Sequence, residues 1–210
     1  MTISVITKSM LAQAAAILTD RLAVSGAREA LALSTIALAT ITASIARAPG
    51  TIGLLGGGLA LLALAIAAID RRRFIIPNAL TAAGFALGIA HAVAQEPDAV
   101  PRAIVMATIR GLAFATSLLV VRAVYARARG REGLGLGDVK LAGVAGTWLD
   151  WSMMPLSIEI AALTALATYL IQRFAFGRML SATTRLPFGL FFAPAIWMCW
   201  LLEAPLSPFR

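Results

Sequence analysis

The sequence predicts an all-α fold, a polytopic transmembrane helical bundle of about seven membrane segments with its N-terminus on the cytoplasmic side. Three observations predict it. Of 210 residues, 60% are hydrophobic and only 13% are charged, and the mean hydropathy of +0.87 lies outside the range of soluble globular domains. The apolar residues run in long windows bounded by charge, Pro or Gly. The basic residues gather in short clusters between those windows, the pattern of topology signals in membrane proteins. At about 20 residues per crossing helix the chain has room for about six to eight spans and no separate soluble domain.

Residues 1–29 place Lys8, Asp20, Arg21, Arg28 and Glu29 around an apolar stretch from Met10 to Leu18, with no clear small-residue cleavage site after it. This predicts an amphipathic cytoplasmic lead-in rather than a secretory signal, and leaves 30–210 as a single transmembrane domain. The windows within it are 30–46, 51–69, 79–95, 103–125, 139–150, 154–172 and 187–204. Arg47-Ala48-Pro49-Gly50 is all that separates the first two. The second contains Gly56-Gly57-Gly58, which suits close helix packing. Before the third, Pro77 drives Ile76 toward extended geometry and ends the second helix after Asp70. The fourth holds Arg110 well inside and Arg122 near its inner end, where a long side chain snorkels to the surface. The fifth is too short for a full crossing and is followed by Asp150 and Pro155, so it reads as a short helix or half of a broken one. The sixth carries Glu159, which with Arg110 reads as an ion pair across helices or as a sign that the span edges lie elsewhere. Trp148, Trp151, Trp197 and Trp200 read as interfacial or packing aromatics.

Charge gives an independent test of the topology. With the N-terminus inside, Lys8, Arg21, Arg28, Arg71, Arg72, Arg73, Arg127, Arg129, Arg131, Lys140, Arg173, Arg178 and Arg185 are all cytoplasmic, against Arg47, Arg102 and Arg210 on the opposite side. Short cytoplasmic loops hold most Lys and Arg in membrane proteins, and this distribution is one-sided. The same bookkeeping explains the net charge of +8 and argues against nucleic acid as a partner. The lone Cys199 lies in an apolar run and excludes both a disulfide and a cysteine zinc site.

The chemistry rests on two aspartates. Asp70 closes the apolar run Ala60 to Ile69, and Asp138 lies in Gly135-Leu136-Gly137-Asp138-Val139-Lys140-Leu141. In the predicted topology both return to the cytoplasmic face. An ionisable group at a membrane boundary is costly and marks function. Two adjacent carboxylates cannot both ionise easily, so a pair holds one proton: the ionised member activates water and the protonated one polarises a carbonyl. Peptide hydrolysis is the natural reaction. His91 lies in an apolar helix without a nearby acid and reads as a tolerated helix residue. Taken singly, Asp70 also reads as an interfacial ion-pair partner of Arg71-Arg72-Arg73, and Asp138 as an N-cap. Gly135 and Gly137 shift the balance for Asp138, because they permit a bend and the close approach of another chain. Since Asp70 falls near a helix C-terminus and Asp138 near an N-terminus, the helix dipoles predict that Asp138 carries the charge and Asp70 the shared proton, with Arg71 to Arg73 acting the other way.

These residues resemble the type IV prepilin peptidases, membrane aspartyl proteases of the GxGD group. The GxGD motif reads Gly135-Leu136-Gly137-Asp138 and continues Val139-Lys140-Leu141-Ala142. Asp70 is followed by Ile76-Pro77-Asn78 and then Leu80-Thr81, as in the short Tad-type members, and Leu186-Pro187-Phe188-Gly189 precedes the last window. The ordered combination is far more specific than GxGD alone. The resemblance implies Asp70 and Asp138 as the catalytic dyad, with Gly135, Gly137, Lys140, Pro77, Asn78, Pro187 and Gly189 as motif and supporting residues. Lys140 orients the leader or a carboxylate, or anchors the topology; Asn78 bonds near Asp70, or caps the third helix. The implied reaction needs no metal and no cofactor. It cuts a prepilin or pseudopilin between a short basic leader and an apolar helix, at the cytoplasmic face of a bacterial inner membrane, with the lipid bilayer and pilus or secretion assembly components as partners. Long members carry a cysteine-containing cytoplasmic domain between their first two spans and also N-methylate the product; the four-residue connector here predicts a form without that domain or activity. Two rivals stand beside this reading: a small proton- or cation-coupled transporter using the two aspartates, and a silent assembly partner.

Overall fold

The computed structural model describes residues 28–130, 133–174 and 187–204. The lead-in up to residue 27, Arg131, Arg178, Arg185, Leu186 and Arg210 lie outside the described residues. Two units are distinguished, Met1–Ala39 and Thr40–Arg210. In the first, residues 28–39 are helical and open helix α1, Arg28–Arg47. The second contains the end of α1 and then α2 (Thr51–Arg73), α3 (Asn78–Gln95), a 3₁₀ turn (Pro97–Ala99), α4 (Val100–Arg129), α5 (Leu136–Trp148), α6 (Met153–Phe174) and α7 (Gly189–Glu203). No strand occurs among the described residues. The fold is therefore all-α, with one helix for each expected window.

Four of these helices are long and apolar enough to cross a membrane: α1, α2, the run Pro97–Arg129 that ends in α4, and α6; α7 is shorter and apolar. Helix α5, at 13 residues, is short and lies at the centre of the bundle. It packs against α3, α4, α6 and α7, and ten of its residues are buried, including Leu141, Val144 and Trp148. Small residues make this possible. A Cβ on Gly146 would fall 2.7 Å from the Gly111 Cα, and one on Gly111 2.9 Å from the Gly143 carbonyl oxygen, so α4 and α5 meet backbone to backbone. Around this axis the core gathers Leu149, Phe192, Ile196 and Trp200, all almost fully buried. Leucines and valines on the outer helix faces remain exposed, among them Leu54, Leu112, Val121 and Leu163, as expected where lipid replaces water.

Three sequence expectations change. Helix α2 does not end at Asp70 but runs one turn further to Arg73, with Phe74 taking a left-handed cap at φ 54°. That position ordinarily favours Gly; three arginines in the last turn favour the extension by complementing the helix dipole. Arg110 pairs with Asp150, Nη1 to Oδ1 3.1 Å, rather than with Glu159, which is exposed on α6. Arg122 donates from Nη1 to the Leu134 carbonyl at 2.8 Å, tying α4 to the segment that leads into α5. The four tryptophans divide: Trp148 and Trp200 are core, Trp197 donates to the Ser44 hydroxyl, and Trp151 is exposed.

The glycine run in α2 provides a test of packing. A Cβ at Gly56 would enter the Trp200 ring, whereas one at Gly57 would rest 3.6 Å from Ile41 in ordinary contact. Gly56→Ala is expected to destabilise by about 1–3 kcal/mol through overpacking, and Gly57→Ala to be neutral or up to about 1 kcal/mol stabilising through helix propensity. Thermal unfolding of the two variants in detergent checks the difference; equal midpoints would count against this α2–α7 contact.

Candidate active site

Six segments converge at one end of the bundle: the last turn of α2, the connector Phe74 to Pro77, the start of α3, the segment Leu134-Gly135, the start of α5 and the start of α7. Asp70 comes from the first and Asp138 from the fifth. Both carboxylates are buried, at 4% and 8% exposure, and one side chain, Ile76, packs against the glycine beside each: Gly137, next to Asp138, and Gly189, next to the Asp70 carboxylate.

Each is held by backbone donors. Asp138 sits at the third position of α5, and its Oδ2 accepts the Gly135 N–H at 3.2 Å. It is therefore not the N-cap; it reaches back to the capping residue as the acidic member of a capping box does. Asp70 Oδ2 accepts the Leu190 N–H at 3.1 Å, with the Gly189 N–H alongside. These amides open α7, 120 residues away in sequence. The carboxylate of Asp70 thus meets the N-terminal end of another helix, and the asymmetry expected from its position at the end of α2 falls away. Both carboxylates face positive helix ends, so the dipoles no longer single out one as the proton holder.

Ile76 explains why the surrounding positions are glycine. This buried side chain sits between α5 and α7. A Cβ at Gly137 would lie 3.1 Å from the Ile76 Cβ, and one at Gly189 would lie 2.8 Å from Ile76 Cδ1 and 2.9 Å from Asp70 Oδ2. The separations at Gly189 are shorter than real Cβ contacts, so that position accepts no larger residue without movement, while at Gly137 Ile76 would have to give by a few tenths of an ångström. Gly135 is similarly close to the Asp138 carboxylate, 3.1 Å from Oδ2 to its would-be Cβ. Pro77 is the N-cap of α3 in extended conformation, ψ 135°, and so aims the connector across the site. The Pro187 carbonyl accepts the same Leu190 N–H at 3.3 Å, so that amide is shared between the turn and Asp70.

Lys140 and Asn78 find each other. Lys140 Nζ donates to Asn78 Oδ1 at 2.7 Å, clasping α5 to the start of α3 beside the connector. Asn78 is accordingly neither the cap of α3 nor a ligand of Asp70. Because the pair is exposed, Lys140→Met is expected to cost about 0.5–1.5 kcal/mol, read as a fall in thermal midpoint; a shift as large as that of Gly56→Ala would assign the lysine a deeper role.

The order and geometry of these segments agree with a family-level match: residues 57–170 match the type IV leader peptidase family. The chain belongs to this family. Among curated relatives it is similar to a prepilin leader peptidase/N-methyltransferase of Burkholderia pseudomallei, 35% identical over 149 residues covering 69% of this chain and 45% of the relative. A protein of the same description from Dickeya chrysanthemi is 36% identical over 127 residues, covering 60% and 43%. One from Klebsiella pneumoniae is 35% identical over 115 residues, covering 54% and 48%. The chain thus spans less than half the length of these relatives. No solved structure matches it. Within the family match lie Asp70, Asp138, Gly135, Gly137, Pro77, Asn78 and Lys140, whereas Pro187 and Gly189 lie beyond it.

Sequence reasoning missed Leu190 and the buried role of Ile76. A backbone N–H leaves no trace in residue identity; the nearest signal was Gly189 at the start of an apolar window. His91 is also more engaged than expected. Its Nε2 accepts the Trp200 indole N–H at 2.9 Å and its ring stacks on Trp148 at 4.7 Å between centroids. Accepting at Nε2 requires a neutral ring with its proton on Nδ1.

Proposed function

We propose that this chain is an aspartic endopeptidase that removes the short basic leader of a type IV prepilin or pseudopilin at the cytoplasmic face of a bacterial inner membrane. The observation that carries the reading is the convergence of Asp70 and Asp138, buried and at one end of the bundle, in a chain of the leader peptidase family. In this mechanism one carboxylate, ionised, takes a proton from water as the oxygen attacks the scissile carbonyl; the other, protonated, donates to the carbonyl oxygen. Collapse of the tetrahedral diol breaks the C–N bond and returns a proton to the leaving amine. Gly135 and the α7 amides orient the two acids. Gly137 and Gly189 leave space for Ile76, and Lys140 with Asn78 steadies the connector. Reaction proceeds on these side chains without metal or cofactor, and methylation of the product is not part of the proposed activity.

Orientation follows from charge: Arg71, Arg72 and Arg73 end α2 beside Asp70, and Arg127 and Arg129 end α4, as the cytoplasmic ends of membrane helices do. Pilus or secretion components are then the partners through their pilin subunits, and nucleic acid is not. The transporter reading has less support, since both carboxylates gather at one end rather than along a path through the bundle. The test is incubation of purified protein with a purified prepilin, with the new N-terminus found by mass spectrometry. A cut between the basic leader and the apolar helix is expected; proton uptake into liposomes without any cleavage would favour transport instead.

A further inference from the structure

The same helices that build the dyad at one end enclose a cavity of about 600 Å³ at the other. Its walls come from the start of α2, α4 and α6 and from the ends of α3, α5 and α7, so it is remote from Asp70 and Asp138 by the length of the bundle. Its floor is aromatic: His91, Trp148 and Trp200 pack ring against ring. Its walls carry charge. Arg102, Arg110, Glu96, Asp150 and Glu203 all line it.

These charges are only partly satisfied by one another. Arg110 bonds Asp150 at 3.1 Å and the Gly146 carbonyl at 3.4 Å, which uses two of the five donors of a guanidinium. Glu203 accepts the Asp150 backbone N–H, at 3.2 and 3.3 Å from its two oxygens, and its carboxyl also bonds the Asp150 side chain. Arg102 and Glu96, on either side of the Pro97–Ala99 turn, line the same cavity yet form no ion pair with each other or with another described residue. The cavity therefore brings cationic and anionic groups together, with Arg102, Glu96 and the spare donors of Arg110 open to a ligand. A ligand of one sign would leave the other sign unmet, whereas a zwitterion satisfies both. Apolar Met106 and Ile52 also line it, and Trp151, which is 60% exposed, lines it as an amphipathic ring of the kind that settles at the headgroup level of a bilayer.

We propose that this cavity binds a phosphate–ammonium zwitterion, the headgroup chemistry of an aminophospholipid. Arg102 and the spare donors of Arg110 take the phosphate, for which guanidinium geometry is suited. Glu96 takes the ammonium. The inference is independent of peptidase activity, since none of these residues belongs to the dyad end.

Native mass spectrometry of the purified full chain in detergent tests it, with phosphatidylethanolamine and phosphatidylglycerol of matched acyl chains at equal mole fraction. The amine lipid is expected to be retained about tenfold more than the glycerol lipid, the scale of one charge-assisted hydrogen bond. Glu96→Gln is expected to bring the two lipids to parity, and Arg102→Gln to lower retention of both; each exposed substitution should leave thermal stability unchanged. Equal retention of the two lipids by the wild type, or an amine preference that survives Glu96→Gln, overturns the proposal. Excess free glycerophosphoethanolamine separates the sources: displacement assigns a soluble zwitterion, and resistance assigns the lipid, each upholding the site chemistry.

Discussion

Asp70→Asn and Asp138→Asn are each expected to lower prepilin cleavage by about 10²–10⁴-fold, the range that a positioned general acid or base contributes. The substitution is close to isosteric. An Asn at 138 still offers an oxygen to the Gly135 N–H, and one at 70 still offers an oxygen to the Leu190 N–H, so the bundle should keep its thermal midpoint within a few degrees. What is lost is the ability to take up and release a proton. If each carboxyl has its own half of the proton transfer, the double variant should be little worse than either single one, because residues acting as a unit are non-additive. Initial rates of leader release from a purified prepilin, measured for the three variants with folding checked by circular dichroism, decide the matter. Cleavage retained within tenfold by either single variant would remove the dyad mechanism.

The second large effect is expected at Gly189. Replacing it with Val places a branched side chain where even a Cβ would lie 2.8 Å from Ile76 and 2.9 Å from the Asp70 carboxylate. Something must shift: the start of α7 with its two amides, the Ile76 connector, or the carboxylate itself. Displacements of about 1 Å at a reacting group cost on the order of 10²-fold in rate, and overpacking costs a further 1–3 kcal/mol, roughly, of stability. The comparison with Gly57→Ala separates a local effect from a general intolerance of substitution, since a Cβ at Gly57 meets only ordinary contacts. The measurement is kcat/KM on prepilin alongside thermal unfolding. Near-normal turnover by Gly189→Val would show that the α7 terminus does not set the position of Asp70.

Much of the architecture was legible in the sequence because hydropathy is a local, additive signal. Windows such as 51–69, 79–95 and 154–172 lie inside α2, α3 and α6, since each is bounded by Pro, Gly or charge and nothing within a bilayer offers the backbone an alternative to the helix. Element ends were less legible. The left-handed cap at Phe74 breaks the preference for Gly, so no turn residue announced the extra turn of α2. The shortness of α5 was visible, but its place at the centre was not: an apolar 13-residue segment reads the same whether lipid or four other helices surround it. Arg110 shows the same limit. Its depth in the fourth window demanded a partner, but whether Asp150 or Glu159 supplied one depended on which loop folded over it.

Composition, window spacing and the ordered motifs around Asp70, Asp138 and Gly189 were enough to determine the helical membrane class and the family, and to single out the residues of the proposed dyad, because each depends on residue identity along the chain. Only the tertiary structure decided how those residues are held. The amides of α7 reach Asp70 across 120 residues, Ile76 sets which positions are glycine, Lys140 turns to Asn78, and a charged cavity opens at the far end of the same helices. The physical reason is common to all four. Backbone donors, steric exclusion and charge neutralisation act between atoms brought within a few ångströms by packing, and neither hydropathy nor motif spacing encodes which helix ends will meet.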